Sequence, residues 1–160
     1  SGGYATSSPA DGDPSGAETG WGLNASASLA TFGRDRLHLQ LAYGEGIASY
    51  INDGGSDLAP NDDIDEAEVL PLLGALLYFD HYWSERWSSS IGWSIAEQDT
   101  TDGQFGNAYE GARYGNVNLL HYPVPGIMVG GELVYGELEL KDGSEADDTR
   151  FQMSFKYSFD

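Results

Sequence analysis

Arg36, Arg150 and Lys156 stand in segments that alternate polar with large apolar residues, and this placement of positive charge is the chemistry the chain offers most plainly. Side chains of an extended strand point to opposite faces with period two. Arg36, His38 and Gln40 therefore share one face of a strand whose other face carries Leu37, Leu39, Leu41 and Tyr43. Arg150, Gln152 and Lys156 lie opposite Phe151, Met153, Phe155, Tyr157 and Phe159, and Asn116, Asn118 and Glu132 take the polar parity of two further segments. The chain has seven Lys and Arg against 26 Asp and Glu, a formal charge of −19. A basic strip inside so acidic a shell is an arrangement that attracts and passes carboxylates if the polar face lines a channel. If that face instead fills a narrow closed barrel, the same cations pair with Glu132 or Asp80. The residues leave both arrangements open.

Other chemistries are poorly represented. No nucleophile elbow, phosphate-binding loop, His-Glu-x-x-His helix or dinucleotide fingerprint occurs. His38, His81 and His121 fall on different segments without partner spacing, so no catalytic residue and no cofactor is expected. Asn61 to Glu66 clusters carboxylates but lacks the ordered spacing of a calcium loop, and reads as solvated acidic surface rather than a metal site. The absence of cysteine excludes a disulfide framework, and the net negative charge opposes nucleic-acid binding.

The elements that carry these residues read as strands. Trp21 to Leu29 alternates, turns at Gly33 to Asp35, and returns as Arg36 to Tyr43. Glu68 to Trp83 is apolar at both parities, so its polar face is not legible; Ser84 to Arg86 turns it into Trp87 to Ala96. Tyr109 to Tyr122 passes through Pro123 to Gly126 into Ile127 to Gly136, and Thr149 to Phe159 closes the series. The longest uncharged apolar run, Val69 to Phe79, falls well short of the roughly 20 residues that a membrane-spanning helix needs. Short turns are expected to alternate strictly with long acidic connections, Gly46 to Asp65, Gln98 to Asn107 and Glu139 to Asp148.

This asymmetry, with Trp21, Trp83, Trp87, Trp93, Tyr122, Tyr157 and Phe159 falling mostly near strand ends, predicts an all-β fold, an antiparallel transmembrane β-barrel with short periplasmic turns and long outer loops. Residues 1–160 form a single barrel segment, with 1–20 as an extracellular loop bearing the end of an upstream strand and 21–159 as seven antiparallel strands. An open sheet cannot sit in lipid. Either Gly2 to Thr6 closes an eight-stranded barrel, or the segment belongs to a larger one. No basic, apolar-cored leader opens the chain. A soluble up-and-down barrel, a plugged structural or adhesive barrel and a barrel enzyme with a Ser or Asp beside a His near the outer rim are the other readings.

The run Arg36 to Asn52 (RLHLQLAYGEGIASYIN), Tyr78 to Trp83 (YFDHYW), Asn116 to Pro125 (NVNLLHYPVP), Gly131 to Gly136 (GELVYG) and the aromatic terminal strand together resemble the C-terminal portion of DcaP-like outer-membrane porins. The resemblance covers most of residues 21–159. It departs from such porins in lacking their first half and N-terminal periplasmic segment and in ending on Asp160. It implies a homotrimeric, roughly sixteen-stranded channel in the bacterial outer membrane, passing small, often anionic, organic solutes, with outer-membrane lipid and lipopolysaccharide as its other partners. On this reading Arg36, His38, Gln40, Asn116, Asn118, Glu132, Arg150, Gln152 and Lys156 line the pore.

Overall fold

The structure, a computed structural model, describes residues 18–51, 54–60 and 67–159. Gly2 to Thr6 and the acidic run Asn61 to Glu66 lie outside the described residues. Seven strands form one antiparallel meander in the order β1 (Trp21–Ala30), β2 (Arg36–Glu45), β5 (Pro71–Tyr82), β6 (Trp87–Gln98), β7 (Tyr109–His121), β8 (Ile127–Leu140) and β9 (Glu145–Tyr157). The long β2–β5 connection holds one 3₁₀ turn (Ala48–Tyr50) and its own small hairpin, β3 (Leu58–Pro60) with β4 (Ala67–Val69). β1 and β9 are the two edges of the sheet, which is open.

Three tight turns share one rim. Asp35 N–H donates to the Phe32 carbonyl at 2.9 Å between β1 and β2, Ser84 N–H donates to Trp87 O at 3.2 Å between β5 and β6, and Ile127 N–H donates to Val124 O at 3.1 Å between β7 and β8. The opposite rim corrects one expectation. Glu139 to Asp148 is not a long acidic loop: β8 runs to Leu140, β9 begins at Glu145, and Leu140 N–H donates to the Ser144 carbonyl at 2.9 Å. Gly143 takes φ +77°, a left-handed conformation that glycine enters without a Cβ clash, and this closes the hairpin tightly. The run of charge suggests a loop, yet Glu137, Glu139, Glu145 and Asp147 are ladder residues. Strict alternation of short and long connections therefore fails at its last step.

The register assigns every strand residue to a face, because directly paired residues point the same way. Leu29, Leu37, Phe79, Ile91, Val117, Leu133 and Phe151 form one continuous row across all seven strands. This apolar face is open to the surroundings: Leu23 is 72% exposed and Met153 80%. A soluble barrel turns such a face inward, whereas a membrane barrel turns it outward. On β2 the apolar band runs from Leu37 to Tyr43, whereas on β9 it runs from Phe151, the residue level with Leu37, down to Tyr157. A band that crosses the registers obliquely is what strands tilted in a barrel wall require.

Buried apolar side chains gather elsewhere. Among the described residues they are Ala42, Ala48, Leu58, Ala59, Ala67, Leu70, Leu72, Ala96 and Ala112, where the β2–β5 connection meets the polar face of the sheet. Leu72 is 1% exposed. This explains why β5 is apolar at both parities: its outer face joins the apolar band, and its other face, near the long-loop rim, is covered by chain.

Candidate functional site

Two rows of the polar face carry most of the predicted residues. In the first, Arg36, Asp80, Ser90, Asn118, Glu132 and Gln152 are in register across six strands; in the next, His38, Tyr78, Gly92, Asn116, Val134 and Arg150 follow. Gln40 lies one row nearer the long-loop rim, level with Leu76, Ser94 and Tyr114, while Lys156 pairs with Met128 near the short-turn rim. All nine predicted residues thus share one face. Glu132 joins two of the others: Asn116 Nδ2 donates to its Oε1 at 2.6 Å, and Gln152 Nε2 donates to its Oε2. Arg36, Arg150 and Lys156 are not drawn into that cluster.

The acids of this face are held by other neighbours. Ser90 Oγ donates to Asp80 Oδ1 at 2.6 Å, and His38 Nε2 lies 3.1 Å from Asp80 Oδ2. Asn118 Oδ1 accepts from the Ser90 backbone N–H at 3.0 Å. Among the described residues the side chains of Arg36, Arg150 and Lys156 make neither an ion pair nor a hydrogen bond. The pairing of these cations with Glu132 or Asp80, one of the two arrangements left open by the sequence, is therefore not observed. The Ser90, Asp80, His38 group does not have the order of a Ser-His-Asp triad: the carboxylate sits between hydroxyl and imidazole, so the imidazole does not contact the hydroxyl.

Residues missed in the sequence fall on the same face or above it. Tyr78, Ser90, Ser94 and Tyr114 complete the polar rows, but β5 hides its parity and serines occur at both parities of β6. Asn24, Ala42, Gly74, Ala96 and Ala112 form a row of small side chains. On this floor rests the 3₁₀ segment: a Cβ at Gly74 would lie 3.2 Å from Ile51 Cδ1. A cleft of about 270 Å³ remains beneath the segment, lined by Gln40, Leu76, Ser94, Tyr50 and Tyr114. Ile47 and Ile51 cap this single turn and seat their side chains, while Tyr50 stays 85% exposed.

The rims have distinct electrostatics. On the short-turn rim Asp35 Oδ1 accepts from Tyr82 N–H at 2.9 Å and Oδ2 lies 2.7 Å from His81 Nδ1. The Tyr82 amide first, and His81 second, hold this carboxyl below its ordinary range. Trp83 meets His81 edge-on at 4.2 Å and Trp87 stacks on His121 at 4.2 Å, while Arg34 sits 4.5 Å from the Tyr82 ring centre. At the long-loop rim the apolar face gives way to charge, and Arg113 joins Glu137 at 2.7 Å and Glu139 at 3.4 Å. Among the described residues no group of acidic or imidazole side chains is arranged to hold a metal ion.

No protein-family model and no curated protein matches the chain. Among solved structures, the outer membrane channel DcaP of Acinetobacter baumannii is similar, with a TM-score of 0.82 at 23% identity. The match covers 89% of this chain and 41% of the DcaP chain, so the present chain spans about two-fifths of the length of that channel. The open sheet of β1 to β9 thus has the fold of a stretch of an outer-membrane β-barrel, shared with the DcaP channel.

Proposed function

We propose that this chain forms part of the wall of an outer-membrane channel through which small hydrophilic solutes diffuse, with a preference for carboxylates. The fold it shares with an outer membrane channel supports the coarser part of this reading. One observation carries the finer part: Asp80 and Glu132 are engaged by His38, Ser90, Asn116 and Gln152, while Arg36, Arg150 and Lys156 on the same face stay uncommitted. An acid already satisfied by local donors repels a passing anion less than a bare one, whereas an unpaired guanidinium keeps its donors for the solute. The pore-lining set is then Arg36, His38, Gln40, Asn116, Asn118, Glu132, Arg150, Gln152 and Lys156, with Tyr78, Ser94 and Tyr114 added.

The apolar face meets outer-membrane lipid on this reading, and the acidic outer rim faces lipopolysaccharide. Three copies assemble in the bacterial outer membrane, which mass measurement in detergent checks. Replacing Arg36, Arg150 and Lys156 together by Gln in the intact assembly is expected to lower anion over cation permeability several-fold in reversal-potential recordings. Unchanged selectivity rejects the anion preference, and an assembly without conductance gives way to the plugged structural barrel.

A further inference from the structure

The segment that covers the polar face is held by contacts that lead away from it, strand by strand. Within the β2–β5 connection, Gly46 N–H donates to Leu70 O at 3.0 Å and Leu70 N–H to Asp57 O at 3.2 Å. From the neighbouring wall, the Gln98 side chain, 3% exposed, donates to the Ser56 carbonyl, and Thr101 Oγ1 donates to the Pro60 carbonyl. Thr101 is itself held from the next hairpin. Lys141 Nζ donates to Thr101 O at 2.6 Å and to Gln104 O at 3.0 Å, and Gln104 Oε1 accepts from Thr101 N–H at 2.9 Å. Two backbone bonds, Lys141 N–H to Ala108 O and Asp142 N–H to Gly106 O, both 2.9 Å, dock the hairpin tip on the β6–β7 connection. Ser144, through its hydroxyl and its amide, holds the Asp142 carboxyl below its ordinary range within that tip.

We propose that Lys141 is a positioning residue for the channel: through Thr101 it latches residues 47–51 and 54–60 onto the small-residue floor, and so sets the width and steadiness of the path beneath. The inference rests on the channel reading. Its physical basis is that the ammonium has carbonyl partners and makes no ion pair among the described residues, so its charge is spent on fixing two turns of chain. Charge-assisted bonds to carbonyls are stronger than neutral ones, and they converge here on a residue that itself grips the covering segment. The floor of Ala42, Gly74, Ala96 and Ala112 supplies close apolar contact but no polar grip, which leaves the lateral hold to Gln98 and Thr101.

Two measurements on the intact assembly, for Lys141→Met, Lys141→Arg and Thr101→Val, test this. Amide exchange at Tyr50, Ile51 and Leu70 is expected to quicken about tenfold or more in Lys141→Met and in Thr101→Val, and to stay near the parent rate in Lys141→Arg, with the β6 and β8 amides unchanged in all three as the check on folding. Unchanged exchange at those three amides in Lys141→Met overturns the latch, whether or not the assembly conducts. In planar bilayers, Lys141→Met is expected to raise open-channel current noise several-fold and Lys141→Arg to restore it. Faster exchange with unaltered noise and conductance rejects the functional half of the proposal, and an assembly that never conducts rejects the channel reading alone.

Discussion

Asp35 shows how much one carboxylate does at the short-turn rim. It ties the β1–β2 turn to the end of β5 by accepting the Tyr82 amide and contacting His81, and its residue is 7% exposed. Its carboxyl is held below the unfolded value of about 3.9. A group whose pKa is depressed in the folded state contributes stability that is complete above the unfolded value and is lost as pH falls through the folded one. Asp35→Asn should therefore lower the urea midpoint of the folded protein in lipid vesicles at pH 7, and the gap to the parent should narrow from about pH 4 downward. An equal gap at pH 7 and pH 3 would show that the charge is not the source. Asp80 is a second such hub, joining β2, β5 and β6 through His38 and Ser90 across 42 and ten positions of sequence, separations that no local pattern could have linked.

At the scale of elements, β9 divides into two environments. Phe151, Met153, Phe155 and Tyr157 occupy the apolar band, whereas Asp147 and Glu145, on the same face, pair with Glu137 and Glu139 above it. Like charges directly opposite are unfavourable, and Arg113 on β7 offsets them by bridging Glu137 and Glu139. Depth decides the cost of charge on such a face. Met153→Arg is expected to destabilise the folded barrel by roughly 2–4 kcal/mol, and Asp147→Arg by no more than about 1 kcal/mol, in equilibrium unfolding from vesicles. Equal costs at the two positions would mean that the band does not face lipid. The same depth argument explains why a charged stretch continues as ladder: once above hydrocarbon, strand backbone needs no apolar side chains.

At the scale of the whole molecule, the described residues form a wall with two open edges. β1 and β9 each present one side of their backbone without a partner in this sheet, and in lipid each such group costs several kcal/mol unless bonded. In the intact assembly the outward-directed amides of β1 and β9 should exchange as slowly as those of β6, because further strands must pair with them. Fast exchange at either edge in the assembled protein would count against a closed barrel.

Much of this was determined by the sequence itself. Alternation from Phe151 to Tyr157, Leu37 to Tyr43 and Ile127 to Tyr135 set the strands and the apolar face, since period two is a local property of extended chain. Turn residues at Gly33, Ser84 and Pro123 to Gly126 set one rim for the same reason. What required the tertiary structure is everything that depends on register and on chain crossing a face. Pairing brought Asp80 beside His38 and gave Glu132 to Asn116 and Gln152, leaving the cations Arg36, Arg150 and Lys156 uncommitted. The covering segment settled why β5 is apolar on both faces, because Leu72 and Gly74 lie beneath it. Local sequence sets which way a side chain points from its own strand; only the alignment of strands sets what it meets there.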